Sequence, residues 1–215
     1  MDVTPKAPRP RDPEATRQGI LDAAYVEFSD HGLSGARVDA IAARTRTTVR
    51  MIYYYFGSKD ELYRTVLERA YADMRAAEAG LSLTDLPPIE AVRRLVEFTF
   101  NHHEANPRFI RLVTIENIHR AEHIAQSDTI EGLNRAVLDG IAAVLDRGKR
   151  DSGFRADATP MAVHLLMTAF CFFRVANRHT LGVIFRQDPL DADVRAEQRE
   201  MLVLSVLGYL APGAR

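Results

Sequence analysis

Thr48-Val49-Arg50-Met51-Ile52-Tyr53-Tyr54-Tyr55-Phe56, followed by Gly57-Ser58-Lys59-Asp60-Glu61-Leu62, is the most informative stretch of this 215-residue chain. A helix this short cannot build a core of its own and must lean on others. Ile52 and Phe56, one turn apart, can anchor it inward, which leaves Arg50, Tyr53 and Tyr54 pointing outward. Three consecutive tyrosines on an exposed helix offer hydroxyls to phosphates and rings to thymine methyls. Thr47 or Thr48 can cap its start and Gly57-Ser58 breaks it. Ser58 with Glu61 three residues later forms a capping box for the next helix, which carries Leu62, Val66, Leu67, Ala70 and Met74 along one side.

Upstream, Asp12-Pro13 is a natural helix start, an acceptor at the N-cap and a pre-set φ behind it. Ile20, Leu21, Ala24 and Phe28 then make one apolar stripe, and Gly32 supplies the stop. Val38, Ile41 and Ala42 mark a second, short helix. Three short helices within residues 12–56, the last two separated by a few residues, describe a helix-turn-helix unit. The charge agrees. Between Ala36 and Lys59 stand five cations, Arg37, Arg44, Arg46, Arg50 and Lys59, against the single anion Asp39. Residues 61–215 carry 19 basic and 21 acidic side chains, so positive charge gathers where a duplex would sit. Such cations give affinity and salt dependence but no choice of sequence.

Ile20-Leu21-Asp22-Ala23-Ala24, Phe28, Gly32, Val38-Asp39-Ala40-Ile41-Ala42 and Ile52 through Tyr63 together resemble the DNA-binding domain of the TetR-type transcriptional repressors. The likeness covers about residues 14–74, with the helix-turn-helix core at 12–58 and the motif itself at 37–56. It implies an all-helical homodimer whose two recognition helices enter successive major grooves of a pseudo-palindromic operator. By the same resemblance Val49, Arg50, Met51, Tyr53 and Tyr54 face the groove or its walls, beside the cap residue Thr48. Lys59 meets a phosphate at the start of the fourth helix. Two positions depart from the family pattern. The tight turn before the recognition helix, usually Gly, is Arg46, and the small hydroxyl residue before the second helix is Arg37. Arg46 either adopts a strained backbone conformation or the turn is built differently. Both arginines are candidate phosphate contacts by charge and place.

The rest of the chain reads as helices too. Pro87-Pro88 opens one to about Glu104, Pro107 one to about Ala125, Asp128 one to about Gly148, Thr159-Pro160 one to about His179 and Asp191 one to Leu210. The expectation is an all-α protein of about nine helices, with residues 75–215 forming an effector-binding and dimerisation domain. Met161–Ala176 and Met201–Leu210 are apolar nearly all round and must be covered on every side. The resemblance implies that the last two helices pair with those of a second subunit. Polar groups set in apolar stretches are the effector-pocket candidates: Asn101 and His102 beside Phe98, then Glu116, Asn117 and His119, then Arg174 and Asn177 beside Phe173. Together they would suit a small aromatic or heterocyclic acid. Asn106-Pro107-Arg108-Phe109-Ile110-Arg111-Leu112 through Glu116-Asn117-Ile118-His119-Arg120 is also similar to a TetR-type subgroup that includes a repressor of nicotinate catabolism.

Other classes find little footing. Lys plus Arg total 28 against 29 acidic residues, a net charge of -1 that excludes a uniformly basic nucleic-acid coat protein. One cysteine, Cys171, allows no intrachain disulfide, and among Phe170, Phe172 and Phe173 it reads as an inert small hydrophobe. Residues 1–11 are Pro-rich and read as a disordered arm with no signal-peptide pattern. The apolar stretches Leu165–Phe173 and Met201–Ala211 fall short of the roughly 20 residues a bilayer requires, so no membrane partner is expected. Glu116-x-x-His119 has carboxylate di-metal spacing, but no second Glu-x-x-His occurs. His119 and His123 lie one turn apart, and His102-His103 would have to complete any metal site across helices. No Gly-rich phosphate loop and no Gly-x-Ser-x-Gly elbow is present. The reading is a cytoplasmic, homodimeric DNA-binding regulator without cofactor, most simply a repressor released from its operator by a small molecule. The competing class, a helical ligand-binding or interaction module without specific DNA binding, draws on Arg37 and Arg46.

Overall fold

A computed structural model describes residues 12–213, so the expected N-terminal arm at 1–11 lies outside the described residues. These residues contain ten α-helices and two short 3₁₀ turns, and no strand. They fall into two compact units, the first ending at Val66 and the second beginning at Leu67.

The first unit holds α1 (Pro13–Gly35), α2 (Val38–Thr45), α3 (Val49–Phe56) and the start of α4 (Lys59–Ala79). The Asp12 carboxylate accepts the Glu14 N–H at 2.9 Å, the expected N-cap of α1. Gly32 has φ 67° and ψ 177°, so the regular helix breaks at the expected glycine although one more turn follows it. Ile20, Ala24, Phe28, Ile41 and Ile52 are fully buried, and the Phe28 and Tyr63 rings meet edge to face at 5.0 Å. The capping box forms as read: Ser58 N–H donates to Glu61 Oε2 and Glu61 N–H donates to Ser58 Oγ, each at 3.1 Å.

One buried carboxylate ties α1 to α2. Glu27, 3 % exposed, accepts the backbone N–H of Arg37 at 3.1 Å through Oε1. Its Oε2 lies 3.3 Å from the Arg44 guanidinium. The same side chain therefore holds both ends of α2.

The second unit is built around α5 (Pro88–Ala105), against which α7 (Asp128–Asp151), α8 (Pro160–Ala176) and α10 (Ala192–Leu210) pack. Val92, Leu95, Val96 and Phe100 of α5 meet Ile141, Val144, Met167, Cys171, Val203 and Val206 in one core. Gly148 permits the closest approach: a Cβ there would overlap the Phe154 ring. Cys171 is buried and its thiol is pushed up to about 12 by that burial, consistent with an inert side chain.

Two helix boundaries differ from the sequence reading. The helix opened by Pro107, α6 (Pro107–Ile118), stops well before Ala125, because Arg120 and Ala121 take positive φ of 59° and 57° and turn the chain over. The helix expected to reach about His179 ends at Ala176 with Asn177 as its cap, and a further helix that the sequence reading did not include, α9 (Arg178–Phe185), leaves it at 67°. The Asn177 side chain donates to the Phe173 carbonyl at 3.1 Å and competes locally with helix continuation. No single helix among the described residues is long and apolar enough to cross a membrane.

Replacing Glu27 by Ala strands a buried N–H and removes a partner of Arg44. The expected cost is about 2–3 kcal/mol, read as a lower denaturation midpoint, with Glu27→Gln markedly milder because it keeps an acceptor for Arg37.

Candidate functional site

Helix α3 sits as its sequence requires. Thr48 at its N-cap accepts the Met51 N–H at 3.2 Å, Ile52 is fully buried and Phe56 nearly so. Arg17 lies over the Phe56 ring at 5.1 Å. The opposite face is open: Arg50 is exposed, Met51, Tyr53 and Tyr54 are 37 %, 42 % and 78 % exposed, and Val49 is half-buried at the rim. Thr48 thus has its hydroxyl committed to the cap, while Arg50, Tyr53 and Tyr54 present their ends outward with no part in the core. Lys59 stands half-buried at the first position of α4, where the helix's free N–H groups favour an anion.

The two departures resolve in different ways. Arg46 takes the left-handed conformation, φ 51° and ψ 36°, directly after α2. Thr47 N–H donates to the Ala42 carbonyl at 3.1 Å and Arg46 N–H to the Ala43 carbonyl at 3.4 Å, the bond pattern of a glycine-type helix stop made with an arginine. The turn keeps its geometry and carries the strain. Arg37 heads α2 without a side-chain cap bond. Its guanidinium instead clasps Asp39, Nε to Oδ1 at 3.1 Å and Nη2 to Oδ2 at 2.6 Å, and Asp39 Oδ1 accepts the Ala40 N–H at 2.9 Å. The Arg37 hydrogen bond holds the Asp39 carboxyl below its ordinary value. Asp39 does the capping that the missing hydroxyl would have done.

The nine effector candidates are not gathered into one site. Asn101 Oδ1 accepts from Arg195 at 2.9 Å. Arg174, buried, bonds Gln198, Glu104 and the Pro189 carbonyl through Nε and Nη2 and lies 3.8 Å over the Phe100 ring, while its Nη1 is buried with no hydrogen bond. Glu116 is buried but accepts the His123 and Ile124 N–H groups at 3.2 Å each, which pins the loop after α6. Asn117 and His119 are exposed, and Phe173 is 56 % exposed. Asn177 closes α8. His102 and Phe98 do lie together, ring centroids 5.3 Å apart, with Phe109 at 6.5 Å from His102 and Tyr71 at 5.2 Å from Phe109.

A cavity of about 550 Å³ opens elsewhere in the second unit, between the last turns of α4, the 3₁₀ turn Leu83–Asp85, Leu95 of α5 and α7. None of the nine candidates lines it. Its walls are small: Ala72, Ala76 and Ala79 on α4 face Ala136, Gly140 and Ala143 on α7. Three charged side chains belong to it, Arg75, Glu78 and Arg147, together with the hydroxyl residues Ser82 and Thr84. Arg147 is consumed by the carbonyls of Leu83, Thr84 and Leu86 at 2.7, 2.6 and 3.0 Å. The reading by polar residues in apolar runs missed this cavity. The signal that finds it is alanine and glycine at three- and four-residue spacing on two different helices, a trough where larger side chains would have closed the gap.

Comparison with known proteins agrees with the geometry. Residues 20–66 match the family described as bacterial regulatory proteins, tetR family, and residues 88–206 match the tetracyclin repressor-like C-terminal domain. The chain is 33 % identical over 189 residues to the HTH-type transcriptional repressor NicS of Pseudomonas putida, covering 88 % of this chain and 89 % of that protein. It is 37 % identical over 152 residues to the HTH-type transcriptional repressor SCO4008 of Streptomyces coelicolor, covering 70 % and 72 %. The crystal structure of SCO4942 from Streptomyces coelicolor superposes with a TM-score of 0.68 at 27 % identity, over 90 % of this chain and 97 % of that one. The chain belongs to the TetR family: it is a helix-turn-helix DNA-binding transcriptional regulator, and not an enzyme.

Proposed function

We propose that the protein is a cytoplasmic homodimeric repressor that holds its operator through α3 and releases it when a small organic molecule fills the cavity of the second unit. The observation that carries the DNA-binding part is the divided face of α3. Ile52 and Phe56 are buried while Arg50, Tyr53 and Tyr54 are exposed beside the cations Arg37, Arg46 and Lys59. Tyr53 and Tyr54 meet base edges and methyls, Arg50 a base or phosphate, Val49 and Met51 the groove wall, and the three cations phosphates.

The dimer reading rests on α8 and α10. Each turns one apolar stripe inward, Val163, Met167 and Cys171 on α8 and Leu202, Val203 and Val206 on α10. Each also leaves a second stripe uncovered: Met161, Leu165 and Phe173 are 49–57 % exposed on α8, and Met201 and Leu204 are 47 % and 58 % exposed on α10. Surface of that kind on two adjacent helices fits the same surface of a second copy, which buries it symmetrically.

Release requires the ligand to favour one conformation over another. Helix α4 supplies Leu62 and Val66 to the buried interior and Ala72, Ala76 and Ala79 to the cavity wall, so a ligand against its last turns biases its tilt. A tilt moves paired recognition helices off the spacing of about 34–36 Å that successive major grooves demand. A coupling of about 1–3 kcal/mol weakens operator binding 5–150-fold.

Fluorescence anisotropy with the protein's own upstream DNA against a scrambled duplex tests the reading. The expected preference is about 10³-fold or more at a stated salt concentration. Tyr54→Ala should erode that preference by about 1–3 kcal/mol without unfolding the protein, while equal binding to both duplexes would refute specific recognition. Arg46→Gly relieves a left-handed arginine and removes a cation. Stability should rise by about 1 kcal/mol, and the slope of log affinity against log salt should shrink by about 0.9 per half-site. Leu165→Asp combined with Leu204→Asp should give monomers in sedimentation and lose tight operator binding, with helical content retained.

A further inference from the structure

One of the two cations that line the cavity, Arg75, is arranged in an unusual way. Arg75 donates through Nη1 to Glu78 one turn further along α4, a pair whose side chains are only 11 % and 13 % exposed. The other edge of the guanidinium has no oxygen partner. Nη2 meets the Met74 sulfur at 3.4 Å, a weak acceptor, and Nε is buried with no hydrogen bond at all. An Arg edge made of Nε and Nη2 is the geometry that receives a carboxylate side-on, with two parallel N–H···O bonds. Two imidazoles whose buried Nδ1 atoms also have no hydrogen-bond partner, His102 and His164, have their proton affinity lowered by burial first and by the nearby Arg75 charge second. The remaining walls are apolar apart from Ser82 and Thr84, and Arg147 already gives three of its five N–H groups to carbonyls, which leaves Arg75 as the less committed cation.

We propose that the effector is a small organic acid whose carboxylate docks side-on to the Nε and Nη2 of Arg75, and that Glu78 sets its affinity as a built-in competitor for the same guanidinium. The body of the acid lies along the alanine trough of α4 and α7. Glu78 is the only carboxylate of the lining, so an incoming anion meets its repulsion at close range and must share or take its partner. Burial already raises the Glu78 pKa, only partly offset by Arg75, so the cavity can lower that repulsion by protonating Glu78 as the acid enters. A neutral amide of equal shape gains the apolar wall and at most a single carbonyl hydrogen bond from Arg75, without the charge-assisted pair. The proposal rests on the reading of this cavity as the effector site.

The test is isothermal titration of the full-length protein with 2-naphthoate and with 2-naphthamide, which share a shape and differ in charge. The acid is expected to bind at least tenfold more tightly than the amide. Glu78→Gln should tighten the acid threefold or more and leave the amide unchanged, and Arg75→Met should bring acid and amide level. Equal binding of the two by the wild-type protein, no binding of the acid at millimolar concentration, or an acid affinity indifferent to Glu78→Gln would each overturn the proposal. The Glu78→Gln arm stands even where Arg75→Met fails to fold. Ala136→Phe fills the trough and separates the two claims. If it abolishes binding of both probes while they bind the wild-type protein equally, the cavity reading stands and the acid anchor fails. If the acid is preferred yet Ala136→Phe leaves it untouched, the cavity reading itself fails.

Discussion

The reading surface depends on the Glu27 carboxylate. A charged group taken almost wholly out of water is tolerated only when it is paired and hydrogen-bonded. Glu27 meets that condition by gripping the N–H that opens α2 and the guanidinium near its end. The orientation of α2 on α1 is thereby fixed by directional bonds rather than by apolar contact alone, which would let an eight-residue helix roll. Since only Arg46, Thr47 and Thr48 separate α2 from α3, the angle at which Arg50, Tyr53 and Tyr54 project follows from it. The left-handed Arg46 belongs to the same device. A sharp helix stop is needed at that place, and the surrounding bonds over-determine it enough to hold a residue that resists it.

The second unit solves a different problem. Its helices carry more apolar surface than one chain can cover, and polar groups buried inside it are largely absorbed in fixing loops and ends. Arg174, stacked on Phe100 and bonded to Glu104, Gln198 and the Pro189 carbonyl, joins α5 to α10 and the segment before it. Glu116 holds the turn that follows two left-handed residues. Such groups look functional in a sequence because they are rare in apolar surroundings. Here most of their hydrogen-bonding capacity goes to loops and neighbouring helices.

That difference accounts for what was legible in advance. Local chemistry was read from residues a turn apart: Asp12, Gly32, Thr48 and the Ser58–Glu61 pair act on their own neighbours, and the inward and outward faces of α3 follow from one period. The all-helical class follows for the same reason. The breaks at Asn177 and at Arg120-Ala121 are not legible in the same way, because no glycine or proline marks them. The cavity was harder still. It consists of what is missing, the volume that larger side chains would occupy, and its walls come from helices more than fifty residues apart in sequence. Arg75 carries no signal of its own in the sequence, because it stands on a charged helix near a glutamate, the commonest of surface patterns.

The exposed face of α3 has one more consequence. Arg50, Tyr53 and Tyr54 contribute nothing to the core, to the caps or to the Glu27 clamp, so the fold places no constraint on what those positions hold. Ile52, Phe56, Thr48 and Gly57 answer to folding, and on the proposed reading Arg50, Tyr53 and Tyr54 answer to DNA. Duplicated copies of such a gene are therefore free to acquire new operators one outward side chain at a time, with no passage through an unfolded intermediate.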